Sequence, residues 1–388
     1  MRRGLTFDGV AVAGVGMVRF GMLHDYPLMH LARDAGLRAL HDAGMTLADV
    51  DEAMVGYIGL TSMTGVKAMK ELGLTGLPVT HIENASATGL VAFREAAWAV
   101  SSGRADVAMA LCFDKFTDLA ARGGRGGGRD EIDAPILPAS YFALWVQRRM
   151  YERGTDVETF AKIAAKNWNY GAVSPMSHRQ PDHVVTPDEV LASRPVARPL
   201  TSMMCCPADD GAACVILARD DIVRARQPDR PLVRPLASAL QSETYARGHT
   251  FVGPVVGPST MTRDTALECY EAASLGPDDV DVAFVHDAFV NEELEYYELL
   301  GFAEPGGGDQ LVADGETGPG GRIPFNTDGG LIARGHPGGP TGLAIVHECV
   351  QQLRGEATGR QVEGARVALA HLVGGGSICT VNLLGVTD

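Results

Sequence analysis

The chain has 388 residues, 46% of them apolar and 21% charged, a balance that suits a soluble globular enzyme of one large or two medium α/β domains. Its 33 basic and 48 acidic residues leave a formal charge of −15, which argues against nucleic acid or an anionic membrane surface as a general partner. No apolar run reaches transmembrane length, and Met-Arg-Arg-Gly leads into a strand rather than a secretory segment.

The N-terminal half reads as alternating strands and helices. Val10–Gly16 is strand-like, Leu28–Ala43 has helical periodicity, and Ala53–Gly59 and Val79–Ile82 are again strand-like. Ser86–Ser102 is apolar nearly all round and reads as a central buried helix, followed by a core strand over Ala105–Phe113. This alternation implies a mostly parallel sheet. Asp114–Leu200 reads as an excursion packed over the core, with a Gly/Arg loop at Arg122–Arg129 and helices interrupted by Pro175, Pro181 and Pro187. A strand returns at Asp210–Ala218, and a second αβ series opens at Leu232–Gln241. It continues with a strand at Val280–His286, helices at Val290–Leu300 and Thr341–Arg354, and strands at Arg366–Ala370 and Cys379–Leu384.

The halves echo each other. Ala87-Thr88-Gly89-Leu90-Val91-Ala92 matches Pro340-Thr341-Gly342-Leu343-Ala344-Ile345, and each opens an apolar helix. The strands that follow also match, Ala105–Ala110 against Ala365–Ala370, so an internal duplication is the economical reading. The seven cysteines are odd in number and lack metal-ligand spacing; they read as reduced thiols of a cytoplasmic protein with no metal site.

Gly14-Val15-Gly16 lacks the third glycine and the helix start of a dinucleotide fingerprint, and the Gly123–Gly128 segment lacks the Lys-Ser/Thr of a phosphate loop. The latter reads as a surface loop or a flap near a substrate tunnel. Four other loops carry more. Ser86 stands between a strand and a helix, where backbone N–H groups and the helix dipole favour developing negative charge, although such a serine is most often an N-cap. His286-Asp287-Ala288-Phe289 ends a core strand, where α/β folds place chemistry; a satisfied strand-end histidine is an equal reading. Asn326-Thr327-Asp328-Gly329-Gly330 precedes Gly335-His336-Pro337-Gly338-Gly339, a rigid loop that lets a substrate approach backbone closely. His371-Leu372-Val373-Gly374-Gly375-Gly376 can supply oxyanion-binding N–H groups or can be a tight turn between strands.

In this order and spacing, together with Val10–Gly21, Thr159–Pro175 and Pro199–Ala213, these segments resemble the thiolase superfamily nearly end to end. Within it they resemble the sterol-carrier-protein type, also described as lipid-transfer or acetyl-CoA acetyltransferase-like proteins. The resemblance implies an α/β thiolase fold: two pseudo-symmetric βαβαβαββ halves in a five-layered αβαβα arrangement, residues 1–230 and 231–388, with a loop domain at about 114–200. It implies CoA-thioester substrates, no permanently bound cofactor, and a homodimer. It also implies roles for four catalytic positions. The position of Ser86 carries the nucleophile, activated by His336; His336 and a water held by His286 bind the thioester oxyanion, and His371 opens the last loop. Gly335, Gly374, Gly375, Asn326 and Asp287 would support these loops.

Two positions depart from the pattern. Ser86 replaces the nucleophilic cysteine, and Ala288 stands where the sterol-carrier type carries a second, acid/base cysteine. Ser86 is either natural or a trapping substitution; the sequence leaves both open. A serine ionises far less readily than a thiol, so fast thiolysis is not expected. Three functions follow from the resemblance. The first is an acyl-CoA carbon–carbon bond enzyme of acyltransferase type. The second is a CoA-thioester retro-aldolase working with a small OB-fold/zinc-ribbon acyl-CoA-binding subunit, as in steroid side-chain degradation, although relatives of that kind carry tyrosines at the two histidine positions. The third is a non-catalytic lipid or acyl-CoA binder. Tyr296 and Tyr297 read as packing residues.

Overall fold

The computed structural model describes residues 4–59, 61–121, 138–244, 249–250, 253–254, 260–375 and 378–387. The Gly/Arg loop falls outside the described residues, as does Gly376.

Two five-stranded sheets form the body. In the first, Val79–Ile82, Glu52–Gly56 and Val107–Lys115 run parallel, and Asp210–Arg219 and then Val10–Met17 add antiparallel. In the second, Val282–Phe284 lies parallel to Val367–Gly374, followed by antiparallel Ile378–Val386 and Val233–Ser242. Phe325 extends this order by a parallel bridge to Ala283, so the two sheets repeat one topology, as the echo in the sequence implies. The short strand Leu5–Thr6 crosses to the second sheet and pairs with Ala237 and Ser238.

Alternation along the strands sorts the side chains into layers. Val107, Met109, Leu111 and Phe113 pack outward under the helix Leu28–Ala43, whereas Ala108, Ala110 and Cys112 face inward. The inward residues are small because two helices, Thr88–Ser101 and Pro340–Arg354, fill the space between the sheets. On the far side, Leu369, Val381 and Leu383 pack against Met261–Ala273 and Val290–Leu299. The order is helix, sheet, helix pair, sheet, helix. The central helices touch at the matched glycines. A Cβ on Gly89 would lie 2.6 Å from Gly339 O, and one on Gly342 would lie 2.3 Å from Leu90 N.

Between Val107–Lys115 and Asp210–Arg219, the helices Pro138–Arg153, Val157–Val173 and Pro187–Ala192 cover the second half. Arg149 fastens the first of them, buried among Glu295, Glu298 and Asp309. Among the described residues no helix is long and apolar enough to cross a membrane.

Some boundaries differ from expectation, the strand expected over Ala53–Gly59 ending at Gly56 among them, and three of the differences have a local reason. The central helix starts at Thr88 rather than Ser86, because Ala85 is left-handed (φ 49°) and turns the chain before it. The strand expected over Val280–His286 shrinks to Val282–Phe284, because Val285 N–H is taken by the Asn326 side chain. His371 does not open a loop: the strand runs on to Gly374 in a hairpin with Ile378–Val386, pairing His371 with Val381.

Candidate active site

The turn before the first central helix holds itself together without Ser86. Thr88 Oγ1 accepts from Asn84 N at 2.8 Å and donates to Ala85 O at 2.6 Å. The helix has no side-chain N-cap, so the N-cap role expected of an isolated serine is not what Ser86 does. Its Oγ lies 3.1 Å from His336 Nε2, half-buried just ahead of a 14-residue helix whose dipole points at it.

His336 is placed by glycines wedged against carboxylates. Gly335 is left-handed (φ 113°), and a Cβ there would lie 2.0 Å from Asp209 Oδ2. On the other side, Gly339 N donates to Asp114 Oδ2 at 2.8 Å, and the same carboxylate accepts from Ile58 N at 2.9 Å. Burial pushes the Asp114 carboxyl well above the ordinary range. The second ring nitrogen of His336, Nδ1, lies 2.9 Å from Thr341 Oγ1. Thr88 and Thr341, equivalent in the duplication, thus each hold one partner of the Ser86–His336 contact.

His286 stands edge-on to His336, with ring centroids 5.4 Å apart and planes at 88°. Its Nδ1 lies 2.9 Å from Glu292 Oε1, and its Nε2 is buried with no hydrogen-bond partner among the described residues. An orphaned buried nitrogen costs about 1–3 kcal/mol, which a ligand or water would relieve. Asp287 turns away from the histidines. It accepts from Leu331 N at 2.6 Å and Asn167 Nδ2 at 2.9 Å, and so anchors the helix Gly330–Ala333. Asn326, left-handed at φ 51°, donates to Glu293 and serves the same scaffold. Gly374 packs on the Ser86 turn, where a Cβ would meet Asn84 O at 2.1 Å; Gly375 (φ 58°) lies beside Ala85.

Comparisons with known proteins give the family of the chain. Residues 254–384 match the thiolase C-terminal domain-like family. The chain is 38% identical to sterol carrier protein 2 of Rattus norvegicus over 96% of this chain and 71% of that one. It is 37% identical to acetyl-CoA acetyltransferase of Methanothermobacter thermautotrophicus over 94% and 96% of the two chains. The chain belongs to the thiolase superfamily. Among solved structures, the Ltp2-ChsH2(DUF35) aldolase superposes with a TM-score of 0.86 at 23% identity, covering 98% of this chain and 99% of that one, and it supports the thiolase fold.

The site has a polar backing behind His286. Glu292 was hidden in the sequence because it sits where an acidic residue caps a helix, and it does cap: its Oε2 accepts from Phe289 N at 3.0 Å. The same carboxylate also receives His286 and the Tyr296 hydroxyl. Tyr296 is therefore more than packing, and burial raises its phenol well above the ordinary range. Asn167, on the covering helix Val157–Val173, bridges Asp287 and Glu293 and carried no signal in the sequence.

His371 joins this group indirectly. Its ring lies against Tyr296, centroids 4.3 Å apart, and its Nε2 reaches Thr262 Oγ1 only at 3.4 Å. Burial, aided by nearby His286, holds its imidazole well below the ordinary histidine range. As the folded pKa is depressed, the unfolded chain takes up the proton first as pH falls. The stabilisation is complete above about pH 6.5 and is lost below it at about 1.4 kcal/mol per pH unit. Melting temperatures between about pH 7.5 and 5.5 should fall less steeply for His371→Gln than for the wild type; equal slopes would contradict this assignment.

Proposed function

We propose that this chain makes or breaks a carbon–carbon bond in an acyl-CoA, with Ser86 accepting the acyl group and His336 taking the hydroxyl proton. The observation that carries the reading is the 3.1 Å approach of Ser86 Oγ to His336 Nε2 in a turn that has no other use for the hydroxyl. In the forward step Oγ bonds the thioester carbon as its proton passes to Nε2. The tetrahedral intermediate then collapses, the carbon–sulfur bond breaks, and CoA leaves with that proton. Backbone N–H groups of the Ser86 turn and of the Gly374-Gly375 turn are suited to the developing oxyanion. Thr341, a neutral hydroxyl, stands at His336 Nδ1 where a triad would place a carboxylate, so acylation is expected to be slower than with a triad. No permanently bound cofactor is required, and a homodimer in the cytoplasm is the expected setting.

A second reading rests on a specific observation. The His286–Glu292 pair can take a proton from a β-hydroxyacyl-CoA without any covalent intermediate, which is retro-aldol chemistry. The aldolase neighbour includes a second component, so an OB-fold acyl-CoA-binding partner belongs to this reading.

The two readings separate on products. Incubated with 3-ketoacyl-CoA and CoA, the chain should shorten the acyl-CoA. With β-hydroxyacyl-CoA and the partner it should leave the thioester intact and release no carbonyl compound. Carbonyl release instead would establish the aldolase, and binding without turnover of either would leave only a carrier role.

A further inference from the structure

We propose that His286, positioned by Glu292, is the proton acceptor of the carbon–carbon step, replacing the thiol that Ala288 cannot provide. This rests on the acyl-CoA reading above and assigns one of its steps. Position 288 offers only a buried methyl group. His336 is committed on both ring nitrogens, to Ser86 and to Thr341. His286 differs in both respects: a carboxylate lies behind Nδ1, and Nε2 is buried without a protein partner among the described residues. An ionised carboxylate only accepts, so Glu292 fixes the proton of a neutral His286 on Nδ1 and leaves a lone pair on Nε2.

The step balances within the site. A proton leaves the carbon α to the thioester and forms the Nε2–H bond, while the electron pair of the broken C–H bond stays on the substrate as an enolate. Glu292 carries the charge opposite the imidazolium. In the reverse direction Nε2–H returns the proton to carbon. Of the groups around this pair, burial keeps the Tyr296 phenol and the His371 imidazole neutral, and His336 stands edge-on to the ring, so Glu292 is the carboxylate in hydrogen-bond contact with His286.

Hydrogen exchange isolates this step. Acetyl-CoA incubated with the protein in D₂O should gain deuterium in its methyl group, read by mass spectrometry, faster than in buffer alone. The exchange needs no acceptor and no adduct on Ser86, so its failure is distinguishable from failure of acyl transfer. His286→Asn should slow it by about 10²-fold or more. Glu292→Gln keeps an oxygen for the Phe289 cap and should slow exchange at least about tenfold with unchanged acetyl-CoA affinity, while Glu292→Asp recovers part of the rate. It also keeps the test open should His286→Asn fail to fold. Wild-type exchange no faster than buffer, or undiminished exchange in the folded His286→Asn or Glu292→Gln variant, would overturn the proposal. Parallel loss of affinity and exchange in Glu292→Gln would mark Glu292 as structural and overturn its positioning role.

Discussion

Ser86→Cys should raise the rate of acyl-enzyme formation by roughly 10²- to 10⁴-fold, the range that one well-placed proton-transfer partner supplies. The setting already suits a thiol. The side chain lies ahead of a helix N-terminus and within 3.1 Å of His336 Nε2, and both features favour the thiolate. A serine at the same place depends on His336 to remove its proton, and the Nδ1 of His336 lies against the Thr341 hydroxyl. The substitution adds little volume at a half-buried position, so it should leave stability nearly unchanged. Stopped-flow or quenched mass measurement with an acyl-CoA reads the rate. A Cys variant that acylates no faster than Ser86 would mean that the turn does not present its side chain to a thioester.

Gly335→Ala should lower activity by about 10²-fold, because a displacement of about 1 Å at a catalytic group is enough for that loss. The new methyl would sit 2.0 Å from Asp209 Oδ2, and the carboxylate has no room to move, being fully buried beside His178. The left-handed backbone at 113° adds strain that only glycine escapes. Relief must therefore come from the next residue, His336. Stability should fall by about 1–3 kcal/mol through overpacking. Gly355→Ala is the control: also at positive φ (73°), at the end of the second central helix, with open space around its Cβ. It should lose stability but not activity. Equal activity in the two variants would show that Gly335 does not place His336.

These two residues also show what the sequence made legible. The central helices could be recognised because their apolar faces are uninterrupted and their Thr-Gly-Leu starts repeat. Their glycines then make sense as the contact where the two halves cross. Gly335 and His336 stood out because glycines and prolines crowd a single histidine. Ser86 was visible by its place between strand and helix, but its freedom from capping depends on Thr88 bonding Asn84 and Ala85, a local exchange that periodicity cannot express. His371 was misplaced onto a loop because three glycines closely following it look like a turn, while the strand pairing that carries it to Gly374 comes from partners four to ten residues further along the chain. Glu292 and Asn167 were missed for opposite reasons. The first looked like an ordinary helix cap, and the second lies 120 residues from the aspartate it holds.

The acyl-transfer mechanism requires Ser86 to accept an acyl group from a CoA thioester. Peptide mass mapping after acid quench of the wild-type chain with acyl-CoA reads this adduct. The peptide carrying Ser86 should gain the mass of one acyl group, and free CoA should appear in equal amount. CoA release with no acyl mass on that peptide, or an acyl mass that persists in Ser86→Ala, would contradict the claim.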